Sequence, residues 1–156
     1  MHLAVYHEAI AAHYDLIAAG IMAHNAAQTG EARGRPLTVL ARPDEDKHKD
    51  EDDEGEGEGE AGPVGGLWGE VFWGWLKVEL LWVREDWRGQ GLGRQLLRRA
   101  EAEARALGAR AAHLSTFSFQ ALEFYQKEGY EIFGTLPDFP PGHARYYLQK
   151  QLAPPA

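Results

Sequence analysis

Apolar residues recur along this chain with two different periods, and the switches between them outline its elements. From Glu8 to Ala27 an alanine-rich stretch carries Ile10, Tyr14, Ile17 and Ile21 near helical spacing, which predicts a helix. Before it, Leu3 to Tyr6 reads as a short first strand. Leu37 to Leu40 reads as a strand, and Gly66 to Trp73 and Trp75 to Val83 as two more, parted at Gly74. Helical spacing then returns with Leu92, Leu96, Leu97, Ala100, Ala104 and Leu107, and Gly108 closes that helix. Glu101 and Arg105, four residues apart, are expected to pair on its wet side. Ala111 to Phe117 is a strand, Phe119 to Glu128 a short helix stopped by Gly129, and Tyr130 to Gly134 and Ala144 to Gln151 the last strands. Asp138 to His143 forms the loop between those two. The order predicts an α/β fold with a mixed sheet.

Composition changes this picture in one place. The chain has 156 residues and a formal net charge of −8. Residues 43–62 hold 11 of its 24 acids and only 2 of its 16 lysines and arginines, which leaves 13 acids against 14 basic residues elsewhere. The folded body is therefore near neutral. The acidic segment has no aromatic or β-branched residue and cannot build a core, so it is expected as a flexible loop inserted between two strands of one domain spanning residues 1–156. Asp50, Asp52, Glu54 and Gly55 start like a calcium loop, but Ala61 stands where the closing glutamate belongs. A solvated charge run is the better reading, and no metal is expected. A near-neutral body with an acidic segment argues against nucleic acid as a partner. No apolar run approaches the ~20 residues of a membrane span, and the start lacks the pattern of a signal peptide, so a cytoplasmic protein is expected. The absence of cysteine excludes a disulfide, a thiolate metal site and a cysteine nucleophile.

The candidate chemistry lies where the second long helix begins. Arg88-Gly89-Gln90-Gly91-Leu92-Gly93 joins the apolar strand to that helix. The first N–H groups of a helix lack intrahelical partners, and the helix dipole makes that end partly positive. Glycine has no Cβ, so an anion can approach the backbone closely. Together these features describe a phosphate site. Arg88 and Arg94 flank the turn, and Arg98 and Arg99 follow it. Cations in a first turn oppose the dipole, and a bound polyanion would reverse that cost. A dinucleotide fingerprint would need glycine where Arg94 stands, and a P-loop would need Gly-Lys-Ser/Thr where Gly93-Arg94-Gln95 stands. On the glycines alone, a simple tight turn remains an equal reading.

A second motif separates the two readings. Arg88, Gly91 and Gly93 fill the pattern Arg/Gln-x-x-Gly-x-Gly/Ala, and Ala121, Phe124, Tyr125, Gly129 and Tyr130 fill Asn-x-x-Ala-x-x-Phe/Leu-Tyr-x-x-x-Gly-Phe/Tyr, with Ser118 at the Asn position. In this order and spacing they resemble the GNAT superfamily of acetyl-CoA-dependent N-acetyltransferases, over roughly Leu37 to Leu152. The resemblance implies a single domain with a mostly antiparallel central sheet flanked by helices. It implies acetyl-CoA as cofactor, its pyrophosphate held by the amides of Gly89, Gln90, Gly91, Leu92, Gly93 and Arg94. It implies that backbone groups of Leu81, Trp82 and Val83 pair with pantetheine where two strands splay apart. Ala121 and Phe124 would line the far side, and the contact normally made by Asn would fall to Ser118.

Tyr125 is implied as the general acid: a phenol of pKa ~10 can protonate a departing CoA thiolate. A strand amide such as that of Val83 could stabilise the developing oxyanion. Glu79 is the candidate base, direct or through a water, because strict alternation puts it on one face with Leu81 and Val83. An exposed edge carboxylate is an equal reading of Glu79, and His143 is the second candidate base. Trp68, Trp73, Trp75, Trp82 and Trp87 crowd one stretch; most are expected in the core, with Trp73 or Trp75 available to a pocket wall. The expected reaction is direct transfer of acetyl to a primary amine, small molecule or peptide. A non-catalytic acyl-CoA sensor or interaction module on the same fold is the alternative, and a homodimer is left open.

Overall fold

Period-two burial builds the sheet from residues that the sequence already marks as strand. The structure, a computed structural model, describes residues 3–30, 33–43 and 62–152. The chain divides into two compact units, Met1–Arg33 and Gly34–Ala156. The first holds helix α1 (Ala11–Thr29), closed by Gly30 at φ 76°. Leu3 to Tyr6, expected as a strand, forms none; an isolated strand with no paired neighbour has nowhere to place its backbone hydrogen bonds. The acidic segment, with its calcium-like residues, lies almost wholly outside the described residues.

The second unit runs β1 (Arg35–Ala41), β2 (Gly65–Phe72), β3 (Trp75–Val83), α2 (Leu92–Ala106), β4 (Ala111–Phe117), α3 (Leu122–Lys127), β5 (Glu131–Pro137) and β6 (Ala144–Gln151). Its six strands form one mixed sheet in the order β1-β2-β3-β4-β6-β5. Every neighbouring pair is antiparallel except β3 and β4. A parallel pair needs a crossover, and α2 supplies it.

On β2, Gly65, Leu67, Gly69 and Val71 are buried while Trp68 and Glu70 are exposed. On β3, Leu76 and Val78 continue the buried face. There the alternation breaks: Val78 pairs with Gly69 and Leu80 with Trp68, so Glu79 is the extra residue of a β-bulge. Gly69 permits it, since a Cβ there would collide with the Lys77 carbonyl. Beyond the bulge Leu81 and Val83 pack against the core in place of the residues strict alternation would choose.

Leu96, Leu97, Ala100 and Ala104 bury one stripe of α2 against the sheet, and Leu67, Leu76, Leu97, Leu148 and Tyr130 are almost fully enclosed. Glu101 also sits in that stripe, contrary to the expected surface pair with Arg105. It accepts from the Tyr130 hydroxyl at 3.0 Å and from Lys150 Nζ at 2.8 Å. A buried carboxylate needs such partners, and they arrive from the loop before β5 and from β6. The i,i+4 pair that α2 does carry is Arg99–Glu103.

Candidate active site

Strand β3 runs to Val83 and β4 to Phe117, yet the two pair only from Trp75–Ala111 to Val78–Leu114. Past that last pair they part. A cavity of about 580 Å³ lies there, walled by Leu81 and Val83 on one side and by Ala121, Phe124 and Tyr125 on the other. The loop from Trp87 to Arg94 closes one end. Parted strands leave backbone N–H and C=O groups without ladder partners, and a ligand of extended shape can take them up.

The glycine loop is held by its own side chains. Arg84 grips Asp86 with two hydrogen bonds of 2.7 and 2.8 Å. Gln90 Nε2 donates to the Asp86 carbonyl at 2.8 Å, and Arg88 Nε to the Val83 carbonyl at 3.0 Å. Gly89 at φ 74° and Gly91 at φ 83° adopt the left-handed conformation that other residues resist. Gly91 caps α2, so the free N–H groups of the first turn belong to the segment that lines the cavity. A Cβ on Gly93 would stand 3.6 Å from Phe124 and 3.7 Å from Val83, filling the gap between the two walls.

The arginines of that turn are partly engaged within the protein. Arg94 Nε donates to Glu128 Oε1 at 2.6 Å and Arg98 Nε to Oε2 at 3.2 Å. Burial pushes the Glu128 carboxyl up, but the two guanidiniums outweigh it and hold it below the ordinary carboxylate value. A protein carboxylate thus offsets part of the cost that the sequence ascribes to a missing polyanion. Arg94 still lines the cavity.

Tyr125 is 7% exposed, with Phe124 edge-on at 5.0 Å and Tyr130 at 5.9 Å between ring centres. Burial alone raises its phenol to about 12. A phenol so placed keeps its proton across the working range and can act as a donor. Helix α3 is shorter than expected, because Ser118 to Ala121 form a turn tied back by Ala121 N–H to Thr116 Oγ1 at 3.4 Å.

Of the residues singled out in the sequence, Leu81, Val83, Arg88, Gly89, Gln90, Gly91, Leu92, Gly93, Arg94, Ala121, Phe124 and Tyr125 converge on this cavity. Trp82 and Ser118 do not line it. The Trp82 side chain is 51% exposed, and Ser118 Oγ lies 3.2 Å from His143 Nδ1 and accepts from Ala144 N–H at 3.3 Å. The expectation that Glu79 shares a face with Leu81 and Val83 fails, because the bulge shifts the phase; Glu79 pairs instead with Lys77. None of the five tryptophans is buried, against the expectation of a mostly core role; Trp68 and Trp82 alternate with the core-facing residues of their strands and lie on the other face. Trp87, to which no sequence motif gives a role, belongs to the cavity wall. Among the described residues no group of three His, Asp or Glu could hold a metal, and no helix is long and apolar enough to cross a membrane.

Comparison with known proteins agrees with this geometry. Residues 51–132 match the family model described as the acetyltransferase (GNAT) domain. The chain is 48% identical to blasticidin-S acetyltransferase of Streptomyces morookaense over 89 residues, which are 56% of this chain and 65% of that one, short of two thirds of its length. It is 34% identical over 131 residues to an acetyltransferase of Agrobacterium fabrum, covering 84% of this chain and 85% of that one. The crystal structure of an acetyltransferase from Bacillus cereus superposes with a TM-score of 0.79 at 26% identity, covering 97% of this chain and 100% of that one.

Proposed function

The chain belongs to the GNAT acetyltransferase family, and from that premise we propose that it transfers acetyl from acetyl-CoA to a primary amine by direct attack in a ternary complex. Bound acetyl-CoA supplies an activated thioester. The amides from Gly89 to Arg94 hold its pyrophosphate, and backbone groups of Leu81, Trp82 and Val83 take pantetheine in the place a paired strand would occupy. Ala121 and Phe124 form the opposite wall. The hydroxyl of Ser118 stands at the position where the family pattern has Asn.

Tyr125 Oη holds the proton that the leaving thiolate takes. Glu79 receives the proton from the attacking amine, directly or through a water. Its place along the strand supports the role where strict alternation does not: it is the first residue past the last β3–β4 pair, where the strands begin to part. The observation that carries the reading is the glycine-capped start of α2 opening into the cavity between the parted strands, with a buried phenol in the opposite wall.

A calorimetric titration with acetyl-CoA, on the wild type and on Gly91→Asp, tests it. We expect a saturable heat in the wild type and its loss in the variant, where a side chain at positive φ and a new negative charge both oppose the pyrophosphate. No heat from the wild type would overturn the reading. Heat without thiol release on any amine would replace catalysis with acyl-CoA sensing.

A further inference from the structure

A second recess, of about 540 Å³, lies on the sheet face opposite the helix-side core. Trp75, Lys77 and His113 alternate with the buried Leu76, Val78 and Ala112, so they project to that other face. Glu70 on β2 stands directly across from Lys77 on β3, and Lys77 directly across from His113 on β4. Gln149 on β6 stands across from His113 and Phe133 adds β5, so the recess crosses five strands. The Lys77–His113 level is one pair short of Val78–Leu114, where β3 and β4 part. Glu79 is the next residue along.

The lining has a definite chemistry. Trp73, Trp75 and Phe133 offer aromatic faces, and Trp75 meets the His113 ring edge-on at 6.0 Å. Burial, with the Lys77 ammonium, lowers the His113 pKa against the opposing Glu79, so its imidazole is neutral at pH 7. Lys77 is neutralised by Glu79. Glu70 has no ion-pair partner among the described residues. The recess thus presents one uncompensated carboxylate, lying over Gly34 at its β1 side, and flat rings elsewhere in its lining. A separate observation points the same way. Trp73 sits at φ 48° in the two-residue turn to β3, a conformation that costs a bulky side chain about 1 kcal/mol or more. Glycine would fill that position without strain, and the chain keeps an indole there at the rim of the recess.

We propose that this recess is the acceptor site and that its ligand is a flat aromatic or heteroaromatic molecule with two basic nitrogens. One nitrogen pairs with Glu70, the ring lies against Trp75 and Trp73, and the second nitrogen, as the free amine, passes Glu79 toward the gap between β3 and β4. The assignment rests on the acetyl-transfer reading above.

The test compares p-xylylenediamine, benzylamine and 1,6-diaminohexane as acceptors in a thiol-release assay, and follows the quenching of tryptophan fluorescence by each without acetyl-CoA. The aromatic diamine should give the highest kcat/KM. Glu70→Gln should lower its advantage over benzylamine about fivefold, the scale of an exposed ion pair. Trp75→Ala should lower its advantage over the aliphatic diamine about fivefold, the scale of a lost ring–ring contact. Trp73→Gly should weaken binding while holding or raising the melting temperature, which a merely structural tryptophan would not do. Equal use of the three amines, or quenching that neither Glu70→Gln nor Trp75→Ala weakens, overturns the proposal. If acetyl-CoA gives no heat in calorimetry, the transfer reading fails by itself, and the quenching still decides whether the recess binds this ligand class.

Discussion

At the scale of single residues, burial decides what each polar group can do. Tyr125 and Glu101 are both enclosed, but only Glu101 has charged and hydroxyl partners that satisfy it in place. Tyr125 instead borders a cavity, and burial keeps its phenol protonated. Tyr125→Phe should cut kcat about a hundredfold, at the low end of general-acid effects, with acetyl-CoA affinity by calorimetry nearly unchanged. The same burial sets a pH dependence of stability. The neutral phenol is favoured in the folded state, so its contribution is whole below the ordinary value of 10.0 and is lost as pH rises toward about 12. Urea midpoints should accordingly fall more steeply between pH 10 and 12 in the wild type than in Tyr125→Phe. The place of Tyr125 in the cavity wall is legible in the sequence because its motif is local. The burial of Glu101 is not, because Tyr130 and Lys150 lie 29 and 49 residues away.

Among the elements, the start of α2 and the bulge of β3 shape the site. Arg94 and Arg98 would burden the positive end of α2, and Glu128, just past α3, draws them off. Glu128→Gln should destabilise the fold by about 1–3 kcal/mol at neutral pH, the worth of hydrogen bonds to charged groups. Because the Glu128 carboxyl is held below 4.5, that difference should be full above this value and close as pH falls through the lowered one. Denaturant titrations of both proteins at pH 7 and pH 3 would measure it. The bulge does have a signal in the chain: Gly69, a glycine inside a strand pattern, marks either a bulge or a close backbone approach. A bulge at that level takes Glu79 off the face of Leu81 and Val83, which strict alternation does not do. The tryptophans carry no such signal. Alternation gives two faces, and which one is covered depends on the helices packed on it.

For the molecule as a whole, one sheet carries two concavities on opposite faces near a single point, where β3 and β4 stop pairing. The arrangement needs a rigid sheet, and α2 provides the core that holds it. Leu97 is fully buried at the centre of that core, and Leu97→Ala should cost about 2–5 kcal/mol, read as a shift in the urea midpoint. The sequence alone determined the order of strands and helices in Gly34–Ala156, the glycine-capped helix start, the cofactor and the family, because periodicity, turn residues and short motifs act within one or two turns of chain. Tertiary structure decided where β3 and β4 separate, which carboxylate meets which cation, and which aromatic residues stay at the surface. Those outcomes depend on partners that approach from distant parts of the chain, and no local pattern encodes their distance.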